Sequence, residues 1–146
     1  YKPSLMNIIN MPKPVISAVR GPAAGIGFAF AMACDLTVMS EEAYLLSVFS
    51  NIGLVPDGGA NWLLTKTVGY KLAYQLAIEA EKIPASRCLE LGLANKVVPS
   101  EDLLTETKAW ATKPVVPIRR KPNNQYTAPS MIAPIPTAPI AIASPS

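Results

Sequence analysis

Few residues in this 146-residue chain can move a proton, because it holds no histidine. That removes the Ser–His and Cys–His nucleophile pairs and the commonest metal ligand together. Acid–base chemistry must rest on carboxylates, lysine, tyrosine or main chain. Two segments stand out. Gly21-Pro-Ala-Ala-Gly25-Ile26-Gly27 is a glycine-rich turn between a strand-like and a helix-like run. A helix start of this kind offers free N–H groups at the positive end of the dipole, able to hold an anion or a carbonyl oxygen gaining charge. The second is Asp57 in Gly53-Leu-Val-Pro-Asp57-Gly-Gly. A Pro-Asp-Gly-Gly turn suits an aspartate that caps the next helix. The same carboxylate, set among Phe49, Ile52, Leu54, Val55 and Trp62, would be desolvated and strengthened as a general base. The apolar run from Tyr44 to Ile52 is either core or a pocket wall suited to an acyl chain.

Each segment has a plainer reading. Glycines between strand and helix also serve close packing alone. A dinucleotide-binding turn would be followed by acids, and Glu41 and Glu42 do follow, but the spacing is G-x-x-x-G-x-G rather than G-x-G-x-x-G. No Gly-Lys-Ser/Thr follows, so it is not a phosphate-binding P-loop.

Composition narrows the classes further. At 50% hydrophobic and 16% charged, the chain suits a folded domain. Up to Thr112 there are nine Lys/Arg against ten Asp/Glu, and from Lys113 onward four basic residues and no acids, although the net charge is +3. The body therefore offers no nucleic-acid footprint. Cys34 and Cys88 lack CxxC spacing and read as free thiols in a reducing compartment. No secretory signal opens the chain, and the longest apolar run, 21–34, is too short to span a bilayer as a helix. A cytoplasmic protein, not a membrane one, is expected.

The elements that would position these residues alternate. Residues 14–20 read as a buried β-branched strand, 25–34 as an apolar helix, 35–39 and 44–47 as strands. A helix begins near Ala60; residues 69–80 form an amphipathic helix with Leu72, Leu76 and Ala80 on one face; 85–91 form a short helix. A strand at 95–98 precedes a helix capped by Ser100. Strands alternating with helices give an α/β layered fold. Two domains of unlike composition follow: a body at 1–112 and a tail at 113–146 that carries eight of the 15 prolines. Proline at that density predicts irregular chain, and the tail's low charge suggests an ending that is not native, through truncation or a shifted reading frame.

In order and spacing, the chain resembles the crotonase (enoyl-CoA hydratase/isomerase) superfamily across about residues 3–112. The resemblance is carried by Lys13-Pro14-Val15-Ile16, the 21–27 turn, Cys34-Asp35, Glu42-Ala43, the 53–59 turn with Trp62, and Ala85 to Asn95 with Val97-Val98. It implies a partial crotonase-like ββα layered fold, without the N-terminal half and the C-terminal helices. The Ile26 N–H would be one of two oxyanion donors; the other would lie before Tyr1. Ala24, Gly25, Val48 and Phe49 would bind substrate. The hydratases' two glutamates are matched by Ala29 and Phe49, which cannot take protons, whereas Asp57 matches the acid of several isomerases. Val48-Phe49-Ser50 also looks like the enoyl-CoA isomerases. The implied activity is movement of a double bond in an enoyl-CoA thioester, with Asp57 as the single base. No cofactor or metal is implied, since CoA enters as part of the substrate, and the parent would be a homotrimer or hexamer. The alternatives are an inert fragment or assembly partner, or, within the class, a hydratase or epoxyacyl-CoA isomerase. A nicotinamide-dependent oxidoreductase is a more distant reading.

Overall fold

The computed structural model describes residues 1–113 and three further strands, 119–121, 125–127 and 141–143. A helix α1 (Lys2–Ile9) opens the chain with proline in its first turn, where the missing N–H costs nothing. It buries Leu5. Strand β1 (Val15–Val19) is buried at every position, as a β-branched strand covered on both faces should be. Strand β3 (Leu36–Ser40) runs parallel beside it, then β6 (Lys96–Val98). Between β1 and β3 the chain makes a short strand β2 (Pro22–Ala24) and helix α2 (Ile26–Ala33). Strand β2 leaves the first sheet and pairs in parallel with β4 (Tyr44–Leu46), which pairs antiparallel with β5 (Ile83–Pro84). Residues expected as turn thus form the edge of a second sheet, unlike a dinucleotide-binding fold, where the first strand turns straight into a helix.

After β4 comes a 3-10 helix (Val48–Ile52), then α3 (Ala60–Val68), α4 (Tyr70–Glu79), α5 (Ala85–Glu90) and α6 (Leu103–Ala111). The main core lies between the sheets and α2–α5, with Phe28, Leu45 and Leu64 at 1% exposure or less. Side chains of this size stabilise by about 1.5–3 kcal/mol each on full burial. Asp35 explains its own place: its carboxylate accepts the Val15 N–H at 2.8 Å while its N–H donates to the Val15 carbonyl at 2.9 Å. Asn95 clamps Thr37 in the same reciprocal way.

Three expectations change. Ser100 does not cap α6, which starts after Asp102 without a side-chain cap. The Ser100 hydroxyl instead accepts from the Arg20 guanidinium at 3.3 Å and helps hold the Glu42 carboxyl below its usual range. The 113–146 segment is not irregular throughout: β7 (Arg119–Lys121) and β8 (Gln125–Thr127) form a hairpin, and β9 (Ala141–Ala143) runs parallel to β1. The rest of that segment lies outside the described residues. Finally, α1, β2, β5 and the 3-10 helix have no counterpart in the sequence reading. Neither Cys34 nor Cys88 is in a disulfide. Burial pushes the Cys88 thiol up to about 11. Among the described residues no helix is long and apolar enough to cross a membrane, and no group of three or more His, Cys, Asp or Glu is placed to hold a metal.

Candidate active site

The start of α2 is built by glycine. Gly25, its N-cap, has φ +56° and ψ −119°, a conformation L side chains rarely adopt. Its N–H donates to the Leu46 carbonyl at 3.1 Å, continuing the β2–β4 pairing of Ala24 with Leu46. A Cβ on Gly25 would lie 3.5 Å from Val48 Cγ1 and 3.9 Å from Phe49 Cζ. The pairing therefore draws Ala24, Gly25, Val48 and Phe49 around one helix start. Gly25 and Phe49 are buried, Val48 half-buried and Ala24 exposed.

The Ile26 N–H is the first of α2. First-turn donors have no partner within the helix, and the first intrahelical bond is Ala29 N–H to the Gly25 carbonyl at 3.3 Å. Among the described residues no acceptor takes the Ile26 N–H. That group, half-buried at the positive end of the dipole, is chemically suited to a thioester oxygen gaining charge.

The 53–59 turn closes on the same helix. Gly58 has φ +61°, and a Cβ there would meet Ala29 Cβ at 2.9 Å, Ile26 Cδ1 at 3.0 Å and Leu5 Cδ1 at 3.2 Å. Main chain thus rests directly on the Ile26 and Ala29 side chains, and Asp57 is the next residue along. Asp57 does not cap α3. The N-cap is Gly59, and Asp57 contributes its main-chain carbonyl, which accepts the Ala60 N–H at 3.0 Å. Nor does the expected apolar enclosure form. Asp57 is exposed, and so are Ile52, Leu54, Val55 and Trp62, with Val55 at 78%; only Phe49 is buried. The reason is packing: the 3-10 helix turns Phe49 inward and leaves the next residues on the outer surface, with Lys66 stacked 4.1 Å over Trp62.

Ala29 and Phe49 are buried, Ala29 completely. With Gly58 against its methyl, position 29 has no room for a longer side chain. The sequence reading missed α1, whose Leu5 supports Gly58, and a surface groove lined by Leu54–Pro56 and α4. The repeat of Tyr70, Tyr74 and Ile78 at four-residue spacing was the available signal for that groove.

Comparison with known proteins agrees with this layout. The family model for enoyl-CoA hydratase/isomerase matches residues 1–126. A protein of Rhodobacter capsulatus named probable enoyl-CoA hydratase is 40% identical over 111 residues, covering 76% of this chain and 43% of the relative. The 1,2-epoxyphenylacetyl-CoA isomerase of Escherichia coli is 37% identical over 103 residues, 70% of this chain and 39% of the relative. The crystal structure of an enoyl-CoA hydratase from Polaromonas sp. JS666 superposes with a TM-score of 0.70 at 43% identity, covering 73% of this chain and 42% of that one. The chain thus spans about two-fifths of the length of these relatives. It belongs to the enoyl-CoA hydratase/isomerase family and carries part of the crotonase fold.

Proposed function

We propose that the protein to which this chain contributes is an enoyl-CoA isomerase working through one carboxylate. Asp57 takes a proton from C2 of a 3-enoyl thioester. The electron pair moves onto the thioester oxygen, which the Ile26 N–H steadies, and the proton returns at C4 to leave the 2-enoyl product. Ala24, Gly25, Val48 and Phe49 line the acyl group beside the carbonyl. CoA belongs to the substrate, so the reading needs no further cofactor; a homotrimer or hexamer in the cytoplasm completes it.

The observation that carries this reading is the contact of Gly58 with Ile26 and Ala29. It supports a carboxylate near the free N–H, since Asp57 directly precedes Gly58, and it leaves little space for an acid at 29. With an alanine and a buried phenylalanine where hydratases carry acids, the addition of water lacks its proton carriers. Asp57→Asn tests the proposal: 3-enoyl to 2-enoyl conversion should drop by about 10²-fold or more. Conversion at the original rate would remove Asp57 as the base.

The exposure of Asp57 and its apolar neighbours supports a second reading, in which this chain by itself is an inert assembly partner. Thermal unfolding with saturating acyl-CoA separates the two. A ligand binding the folded state raises the midpoint, and no shift favours the inert reading.

A further inference from the structure

We propose that the outer edge of β1 is a strand-acceptor site for an extended, apolar, proline-free segment of a partner protein, and that β9 covers this edge from within the chain. Strand β1 is the member of its sheet least able to stand open. All five of its residues are buried, at 4% exposure or less, and β3 pairs with it along residues 16–19. An open edge on such a strand presents main-chain N–H and C=O groups beside apolar side chains, a template for another strand. On the side away from β3 the cover is β9, with Val15, Ile16 and Ser17 paired in parallel to Ala141, Ile142 and Ala143.

This cover is an added piece with a built-in limit. Strand β9 lies beyond residues 1–126, which the family model matches. Residues 112–140, seven of them proline, separate it from α6. Pro139 and Pro145 bracket a five-residue run, 140–144, that is free of proline. Continuing the register places Ser144 opposite Ala18 and Pro145 opposite Val19, and proline has no N–H to give a ladder. Strand β9 thus pairs with three of the five β1 residues. A second copy of the chain would bring the same Pro145 and the same three pairs, so it gains nothing over a strand already tethered to the site. A partner segment without proline can pair along the whole edge. The surroundings choose its composition. Val19 belongs to the cluster of Phe28 and Met39, whereas Ile16 and Ala18 belong to that of Val38 and Leu103. A strand laid beside β1 therefore needs apolar residues on both faces, not the alternating pattern of a half-exposed strand.

The test is fluorescence anisotropy with the labelled peptide Lys-Ala-Ile-Ala-Ile-Ala-Ile-Lys, on the unaltered chain and on one carrying Ile142→Pro with Ala143→Pro. Main-chain N–H groups alternate sides along a strand, so the two prolines together remove the one that faces β1. The double variant should bind the peptide about tenfold tighter, because the three pairs to β9 no longer compete. The same peptide with prolines at its two central positions should bind neither chain. Equal affinity for the two chains, binding to neither, or retained binding of the proline peptide overturns the inference. If the double variant does not fold, amide exchange on the unaltered chain decides. Saturating peptide should speed exchange at 141–143 by about tenfold while 15–19 stay protected, and unchanged exchange at 141–143 overturns the inference. A chain that dimerises without peptide, and loses the dimer with the two prolines, assigns the edge to a second copy's β9 and overturns it as well.

Discussion

The two halves of the candidate site are built to different standards. The α2 half is over-determined: Gly25 is held by the Leu46 carbonyl and flanked by Val48 and Phe49, and a Cβ at Gly58 would collide with Ala29 and Ile26. The 52–57 half has Asp57 and the Ile52, Leu54 and Val55 side chains open to water. The proposed oxyanion half needs main chain in a strained, defined shape, which local pairing and glycine supply. A desolvated carboxylate needs surrounding bulk, and the described residues do not provide it. A site can therefore be half-formed when its two functions depend on different kinds of contact.

The sharpest way to break this contrast is to force an acid into the tight half. Ala29→Glu should cost about 4 kcal/mol or more, because it overpacks against Gly58 and buries an unpaired carboxylate. Urea denaturation measures it; a cost below about 1 kcal/mol would mean that the 58–29 contact yields easily. Next comes a matched glycine pair. Gly58 and Gly59 both have positive φ, +61° and +77°, but only Gly58 has neighbours where a Cβ would go. Gly59→Ala should cost about 1 kcal/mol from backbone conformation alone, and Gly58→Ala about 2 kcal/mol or more from conformation plus contact. Equal costs would show that packing adds nothing at Gly58.

Smaller effects probe the surrounding frame. The Cys88 thiol titrates near 11 when folded, against 9.0 for an ordinary thiol. A raised thiol value means that the unfolded chain gives up its proton first, so stability is full below pH 9 and declines as pH rises from 9 to about 11. The loss should be on the order of 2 kcal/mol, and Cys88→Ala should flatten that limb of the stability–pH curve. The smallest change is Ser100→Ala. Its exposed contacts make a stability change under about 0.5 kcal/mol the expectation, while the Glu42 titration followed by NMR should move upward as the Ser100 hydroxyl bond is lost.

What the sequence made legible follows the same division. Elements with strong periodicity or β-branching came through: β1, α2, β3 and α4 all fall within a residue or two of their expected bounds. The glycine segment came through in part: Gly25 opens α2 at positive φ, but Pro22–Ala24, expected as turn, form β2. The short pieces did not. Strand β2 has only Pro-Ala-Ala, and its identity comes from pairing with β4, a contact twenty-two residues away. Helix α3 does begin at Ala60, but Gly58 and Gly59 both take positive φ and the N-cap is Gly59, two residues past Asp57. The Asp57 enclosure was inferred from apolar neighbours in sequence. Neighbours in sequence point in several directions, and the 3-10 helix sends most of these outward.

The most direct measurement is hydrogen–deuterium exchange at C2 of a saturated acyl-CoA, followed by NMR, because exchange reports enolate formation without the rest of the reaction. With Asp57 as the base and the Ile26 N–H steadying the oxygen, the protein should catalyse exchange, and Asp57→Asn should slow it by about 10²-fold or more. Exchange at an unchanged rate in Asp57→Asn would contradict the account.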